Sequence, residues 1–547
     1  MLISSVNSRV TDKAGRLTQA DAIARNKVVS ASDTIALLER VIRPGDRVCL
    51  EGNNQKQADF LAESLASVDP QIIHDLHMLQ SAVSLPSHVA LFAKGIAREI
   101  DFSFSGPQSA ELASLVTQQK IRINAIHTYL ELYARYFLDL TPNVALIAAQ
   151  AADASGNLYT GPNTEETPVI AEATAFKGGI VIAQVNEIRE SLPRVDIPGD
   201  WVDFVVAAPR PNHVEPLFTR DPAKITDTQV LMAMMVIKGI YAAYGVTSLN
   251  HGIGFDTAAI ELLLPTFAAG LGLKGKICTH WALNPHPTLI PAIEAGFVEA
   301  VHCFGSEVGM EQYVRARPDI FFTGPDGSLR SNRAFSQAAG LYACDLFIGA
   351  TLQMDLQGNS STATHGRIAG FGGAPNMGSD ARGRRHESPA WLKAGEQARA
   401  DFAVPRGRKL VVQMVRLVNN KGQSAFVERL DAWDVAEKMG VHNPPIMIYG
   451  DDVTHVVTEE GIANLLLCRN AHEREQALRG VAGNTPIGQR HHQPTVATLR
   501  ERGAILRAED LDIDPKQANR TLLAAQSIGD LVDASHGLYS PPSRFVN

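Results

Sequence analysis

The sequence predicts an α/β protein made of two open, largely parallel sheets flanked by helices, followed by a C-terminal helical extension. Three observations predict it: short continuous apolar runs rich in Val and Ile, helical apolar spacing between them, and a proline-rich break separating two stretches of the same style. A run apolar at every position suits a strand covered on both faces, the habit of parallel sheets under helices.

In chain order, KQADFLAESLASV (56–68) sets Phe60, Leu61 and Leu65 at helical spacing and predicts a helix. VALIAA (144–149), GIVIAQV (179–185) and WVDFVVAAP (201–209) predict strands, and the alternation of the two patterns argues α/β. In APRPNHVEPLFTRDPAKIT (208–226), Pro209, Pro211, Pro216 and Pro222 break regular structure and mark a boundary. The expected domains are therefore 1–220 and 221–485, with 486–547 as an extension. In the second half, a helix is expected over 227–243 and another near 288–295. Strands are expected at 275–281, 344–354, 409–415 and 451–458, and 378–408 reads as an Arg- and Gly-rich loop, a lid or a ligand-facing insertion.

The 547 residues are 45% hydrophobic and 20% charged, a globular profile that excludes disordered, fibrous and coiled-coil chains. Fifty Lys and Arg stand against 58 Asp and Glu, so no basic field draws in nucleic acid or anionic membrane. Cys49, Cys278, Cys303, Cys344 and Cys468 lie far apart without CxxC spacing and are expected as reduced thiols. The N-terminus lacks the apolar core of a secretory signal, and the longest apolar stretch, 230–246, is broken by Lys238. A soluble, cytoplasmic protein is expected.

Four segments carry candidate chemistry. In VCLEGNNQKQADFLAESLA (48–66) a strand end runs into Glu51, Asn53 and Asn54 before a helix. That crevice position suits a small carboxylic acid, with Lys56 as a further candidate; an Asn-rich turn capping the helix explains the same residues. SLNHGIGFDTAAIELLLP (248–265) places Gly252 and Gly254 where a backbone can approach a ligand, or where the chain merely turns. In DLQGNSSTATHGRIAGFGGAPNMGSDARGRR (355–385), Gly370, Gly372 and Gly373 suit a backbone oxyanion hole. Arg382, Arg384 and Arg385 follow at once and suit phosphates, though three Arg also make an ordinary solvated face. HCFGSEVGMEQ (302–312) offers Glu307 as a candidate carboxylate nucleophile or a solvated side chain. His280, His286, His491 and His492 lack the spacing of a zinc site, so no metal is expected.

Taken together, these segments resemble the coenzyme A transferase superfamily. IVIAQVNEIRESLPRVDIPGDWVDFVV (180–206), HGIGFDTAAI (251–260), MDLQGNSSTATHGRIAGFGGAPNMGSD (354–380) and VTHVVTEEGIANLLLCRNAHERE (453–475) resemble its motifs in the family's order over about 300 residues. More narrowly, the whole chain resembles the alpha subunits of bacterial malonate decarboxylase, relatives of the citrate lyase alpha subunit. The resemblance implies an acyl-carrier-protein transferase: acetyl-S-carrier plus malonate gives malonyl-S-carrier plus acetate. It also implies a carrier subunit, decarboxylase subunits, and a carrier-borne phosphoribosyl-dephospho-CoA group rather than a permanently bound cofactor. On that resemblance Gly370, Gly372 and Gly373 with Glu307 are catalytic candidates, and Glu51, Asn53, Asn54, Thr279 and His280 contact substrate. Gly252, Gly254, Asn376, Arg382, Arg384 and Arg385 then meet the prosthetic group.

The chain departs from the superfamily where covalent CoA transferases carry a nucleophilic Glu. KICTHWALNPHPTLIPAIEAGF has Thr279, His280 and Trp281 there and no Glu before Glu294. Direct transfer through a mixed anhydride is the expectation. The alternatives are an acyl-CoA hydrolase or free-CoA transferase of the same superfamily, and a scaffold subunit without activity.

Overall fold

The computed structural model describes residues 2–24, 26–53, 56–398, 406–419 and 422–545, with side chains from Ser8 onward except that of Asn53. Its first sheet runs, edge to edge, through Val28–Val29, Phe204–Ala207, Ile180–Ile188, Val144–Ala152, Arg47–Leu50, Leu76–Ala82, Ala97–Phe104 and Arg122–Ile126. All eight are parallel, and Leu158–Tyr159 folds back antiparallel on the strand it follows. The continuous apolar runs behave as their composition requires: Val144, Ala145, Leu146 and Ile147 are completely buried, as are Val181, Ile182 and Ala183.

The second sheet runs through Ala300–His302, His280–Ala282, Ser248–His251, Leu346–Ala350, Leu410–Met414, His455–Thr458, Gly461–Asn464 and Ile505–Leu506. Its first six strands are parallel and the last two pairings antiparallel. The proline-rich 208–226 stretch holds only the short turn Pro222–Lys224 as regular structure and passes as a strap from one sheet to the other.

Three expectations change. The strand anticipated at 275–281 shrinks to His280–Ala282, because Cys278 turns through the left-handed region at φ 59°. The anticipated loop 378–408 contains the helix Pro389–Ala398, anchored by buried Trp391; residues 399–405 lie outside the described set. The tail past 485 is not an appendage, since Ile505–Leu506 completes the second sheet and the helix Ile528–Ala534 packs on Ile290–Glu294. All five cysteines are free, four of them buried. Among the described residues no helix is long and apolar enough to cross a membrane, and no group of three or more acidic, His or Cys side chains is placed to hold a metal ion.

Candidate active site

In parallel sheets, ligands collect beyond the carboxyl ends of the strands, where loops diverge and helices begin. Here the two sheets bring those ends together. The first-sheet strand ending at Phe104 is stitched to the glycine-rich segment of the second half: Ser105 N–H donates to Ala369 O (2.9 Å), while Phe371 and Gly372 N–H both donate to Ser103 O (2.6 and 2.9 Å). Tyr129 N–H donates in turn to Gly372 O (3.1 Å). The resulting cleft, about 180 Å³, is mostly apolar and lies between the halves.

Its floor is the glycine segment. Gly370 has φ 70°, and a Cβ there would sit 2.5 Å from Ser103 O, so only glycine permits the stitch. Since Ser103 already takes the amides of Phe371 and Gly372, the loop amides with no backbone acceptor among the described residues are those of Gly370 and Gly373, of which Gly373 lines the cleft. Gly373 packs on Gln337, whose amide would lie 2.6 Å from an added Cβ. The Asn376 amide holds the same Gln337 and the Thr128 hydroxyl, which fixes the loop to a helix from each half. Of the glycines expected to form an oxyanion loop, Gly372 and Gly373 line the cleft and Gly370 does not; Asn376 braces the loop.

Across the cleft, the strand Ser248–His251 ends in Gly252, whose N–H donates to Ile348 O (2.7 Å). A Cβ on Gly252 would approach Gly349 Cα to 3.0 Å, so the glycine lets adjacent strand ends close up. Gly254 precedes the helix Phe255–Leu263, and Thr257 Oγ1 donates to the carbonyls of both glycines. The strap contributes Leu217 and Phe218 to the wall.

Thr279 and His280 stand at the opposite, amino end of their strand, where His280 is exposed and Thr279 bonds its ring. The carboxyl end of that strand delivers Asn284 and His286 to the cleft instead. Glu307 is buried, and its carboxylate accepts from Leu217 N–H, Thr219 N–H and the Thr219 hydroxyl (3.2, 2.9 and 2.7 Å). Burial raises its pKa against those bonds; it clamps the strap and lines a separate cavity of about 150 Å³ rather than the cleft.

Glu51 is fully buried and accepts from Ala148 N–H (2.8 Å) and Thr167 Oγ1 (2.6 Å), 3.5 Å from Lys56 Nζ. Burial raises its pKa, with Lys56 opposing. Gly52–Asn53 pairs antiparallel with Lys56–Gln57; Asn54 and the Asn53 side chain lie outside the described set. Arg384 is also internal, bonded to Asp345 (2.7 Å) and over the Trp391 ring, which removes it as a phosphate ligand. Arg382 and Arg385 are exposed.

Sequence reasoning missed two groups. Arg333, at the start of a helix capped by Asn332, is the one Lys or Arg lining the cleft among the described residues; it pairs with Glu165 (3.2 Å) and lies over the Tyr129 ring. Nothing in SNRAFSQ distinguishes it from a surface helix start. The other is Glu261, fully buried, whose carboxylate meets the Nδ1 of both His251 (3.0 Å) and His286 (2.9 Å) and the Thr288 hydroxyl. Among the described residues lining the cleft there is no carboxylate.

The family model described as malonate decarboxylase, alpha subunit, transporter matches residues 5–547. The chain is 60% identical over 542 residues to an acetyl-S-ACP:malonate ACP transferase of Malonomonas rubra, covering 98% of each. A chain of a Pseudomonas malonate decarboxylase hetero-tetramer crystallised with malonate superposes with TM-score 0.96 at 59% identity, covering 98% of both. The alpha subunit of an Acinetobacter baumannii malonate decarboxylase gives 0.95 at 56% identity, covering 98% of this chain and 100% of that one. A putative citrate lyase alpha subunit of Streptococcus mutans, at 15% identity and TM-score 0.59 over 95% of this chain and 87% of its own, shares the fold.

Proposed function

The chain belongs to the malonate decarboxylase alpha-subunit family, and from that membership and the cleft we propose that it is an acyl-carrier-protein transferase, exchanging acetyl for malonyl on a carrier thiol. Acetyl-S-carrier and malonate enter; malonyl-S-carrier and acetate leave. One thioester replaces another, so the equilibrium is nearly balanced and the protein's task is to lower barriers.

The observation that carries the mechanism is the carboxylate-free lining of the cleft. With Glu307 spent on the strap, the nucleophile is malonate itself: a carboxylate oxygen attacks the acetyl thioester, giving a mixed anhydride and the carrier's sulfur. The sulfur then attacks the malonyl carbonyl and acetate departs. Gly373 N–H is the donor we assign to the developing oxyanion, and a removed donor of this kind lowers rate on the order of 10²–10³-fold. We place the second carboxylate of malonate at Arg333. The narrow apolar walls hold the reactants together and keep water from the anhydride.

The carrier's group is a CoA-like arm with an added phosphoribosyl unit, met at the surface by Arg382 and Arg385. Carrier and decarboxylase subunits are the protein partners, and the cytoplasm is the compartment. The test is to mix the purified chain with acetylated carrier and labelled malonate. Labelled malonyl carrier supports the reading; free acetate without it indicates a hydrolase, activity on free CoA thioesters with no need of carrier indicates a CoA transferase, and no turnover a scaffold.

A further inference from the structure

Two histidines share Glu261 and line the cleft, but among the described residues only one of them keeps a ring nitrogen without a protein partner. The carboxylate is fully buried; burial raises its pKa, yet His286 and His251 outweigh that and hold it well below the usual carboxylate range. An ionised carboxylate only accepts, so both imidazoles donate Nδ1–H to it and their tautomers are fixed. The Nε2 of His251 bonds the Tyr241 hydroxyl (2.7 Å) and its ring abuts Trp281, so both of its ring nitrogens are taken. His286 is stacked on Phe218 of the strap with ring centroids 5.1 Å apart, and its Nε2 has no protein partner among the described residues, so it is free to serve the cleft that it lines. Beyond Glu261 and His251, the charged groups acting on this cluster among the described residues are Arg220, on the strap, and Glu307, which clamps it.

An imidazole with one nitrogen held by a buried carboxylate and the other facing a reactive cleft is the arrangement of a general acid and base. Resting on the transfer reading above, we propose that His286, oriented by Glu261, carries the proton of the carrier's sulfur. In the first half-reaction the malonate oxygen bonds the acetyl carbon, the C–S bond breaks, and Nε2–H of the imidazolium protonates the departing sulfur. In the second, Nε2 takes that proton back as the sulfur bonds the malonyl carbon and the C–O bond to acetate breaks. The proton returns to its origin, and no other reactant is needed.

The experiment compares His286→Asn, whose amide retains a donor toward Glu261, and His286→Gln with the parent chain on two acetyl thioesters. One has an alkyl thiol of the pantetheine type, the other an aryl thiol that leaves as a stable anion. On the alkyl thioester both variants are expected to lose about 10²–10⁴-fold in kcat, the usual contribution of a positioned acid or base, with KM for malonate little changed. On the aryl thioester, which needs no proton at sulfur, release of the aryl thiolate is expected within about tenfold of the parent, because the variant lacks only the proton transfer. Equal losses on both thioesters, or no loss on either, overturn the role of His286 while leaving the transfer reading intact. A parent chain that forms no malonyl thioester overturns both.

Discussion

Two buried acid clusters flank the cleft, and they are built on opposite principles. On the first-half side, Glu51, Glu165 and Glu166 are all buried with Lys56, Arg333 and a set of hydroxyls: Ser81 and Tyr133 donate to Glu166, and Thr167 to Glu51. Three carboxylates face two cations, and burial, against Arg333, pushes Glu165 up to about 7. On the second-half side a single carboxylate, Glu261, is over-supplied with donors and stays ionised. The first cluster is a closed structural joint that reaches the cleft through Arg333; the second presents His286 to it. Burial alone therefore does not mark function. The atom left over after the internal bonds are counted does.

The comparison is broken most severely by Arg333→Met, which strands Glu165 without its cation in the joint between the halves. Removing one partner of a buried pair costs about 3–5 kcal/mol, and urea unfolding should show a loss of that size; Arg333→Lys should retain most of the stability while raising KM for malonate. Next is Gly373→Ala, in which the new Cβ displaces Gln337 and the loop amide. The transfer rate should fall on the order of 10²–10³-fold with stability changed far less, a split that steady-state kinetics and thermal unfolding together resolve. Gly370→Ala should do the reverse: left-handed strain of about 1–3 kcal/mol plus the clash with Ser103 O lowers stability first and activity as a consequence.

A smaller effect separates the clusters by pH. Because the folded pKa of Glu165 lies above its unfolded value, its contribution is fully present near pH 4.5 and is lost as pH rises through about 7. Glu165→Gln should flatten stability across that window as measured by thermal unfolding, whereas the Glu261 contribution, its pKa depressed, is lost only as the solution becomes strongly acidic. The smallest expected effect is at the surface: Arg382→Ala should weaken carrier binding by no more than about 1 kcal/mol, more at low salt than at high, by titration calorimetry.

How much of this was legible follows from what pattern can encode. The runs at 144–149 and 179–185 are apolar at every position but Gln184 because both faces are covered, so their strands are readable, and they form as Val144–Ala152 and Ile180–Ile188. Gly370 and Gly252 stand out as glycines that could face a ligand, but pattern does not say what comes close: in the structure it is backbone, Ser103 at Gly370 and Gly349 at Gly252. Arg382, Arg384 and Arg385 look alike in sequence; only packing turns Arg384 onto Asp345 and leaves its neighbours in solvent. His280 and His286 are likewise indistinguishable by type. Which end of a three-residue strand faces the ligand is decided by the sheet, and that placed His286 in the cleft and His280 outside it.

The claim on which the rest depends is direct attack by malonate with no acyl or thioester link to the protein. A single turnover with malonate labelled by heavy oxygen in its carboxylates, followed by mass analysis of the acetate released, tests it. Direct transfer predicts one malonate-derived heavy oxygen in every acetate of that first turnover. Unlabelled acetate, its new oxygen drawn from a carboxylate of the protein, would contradict it.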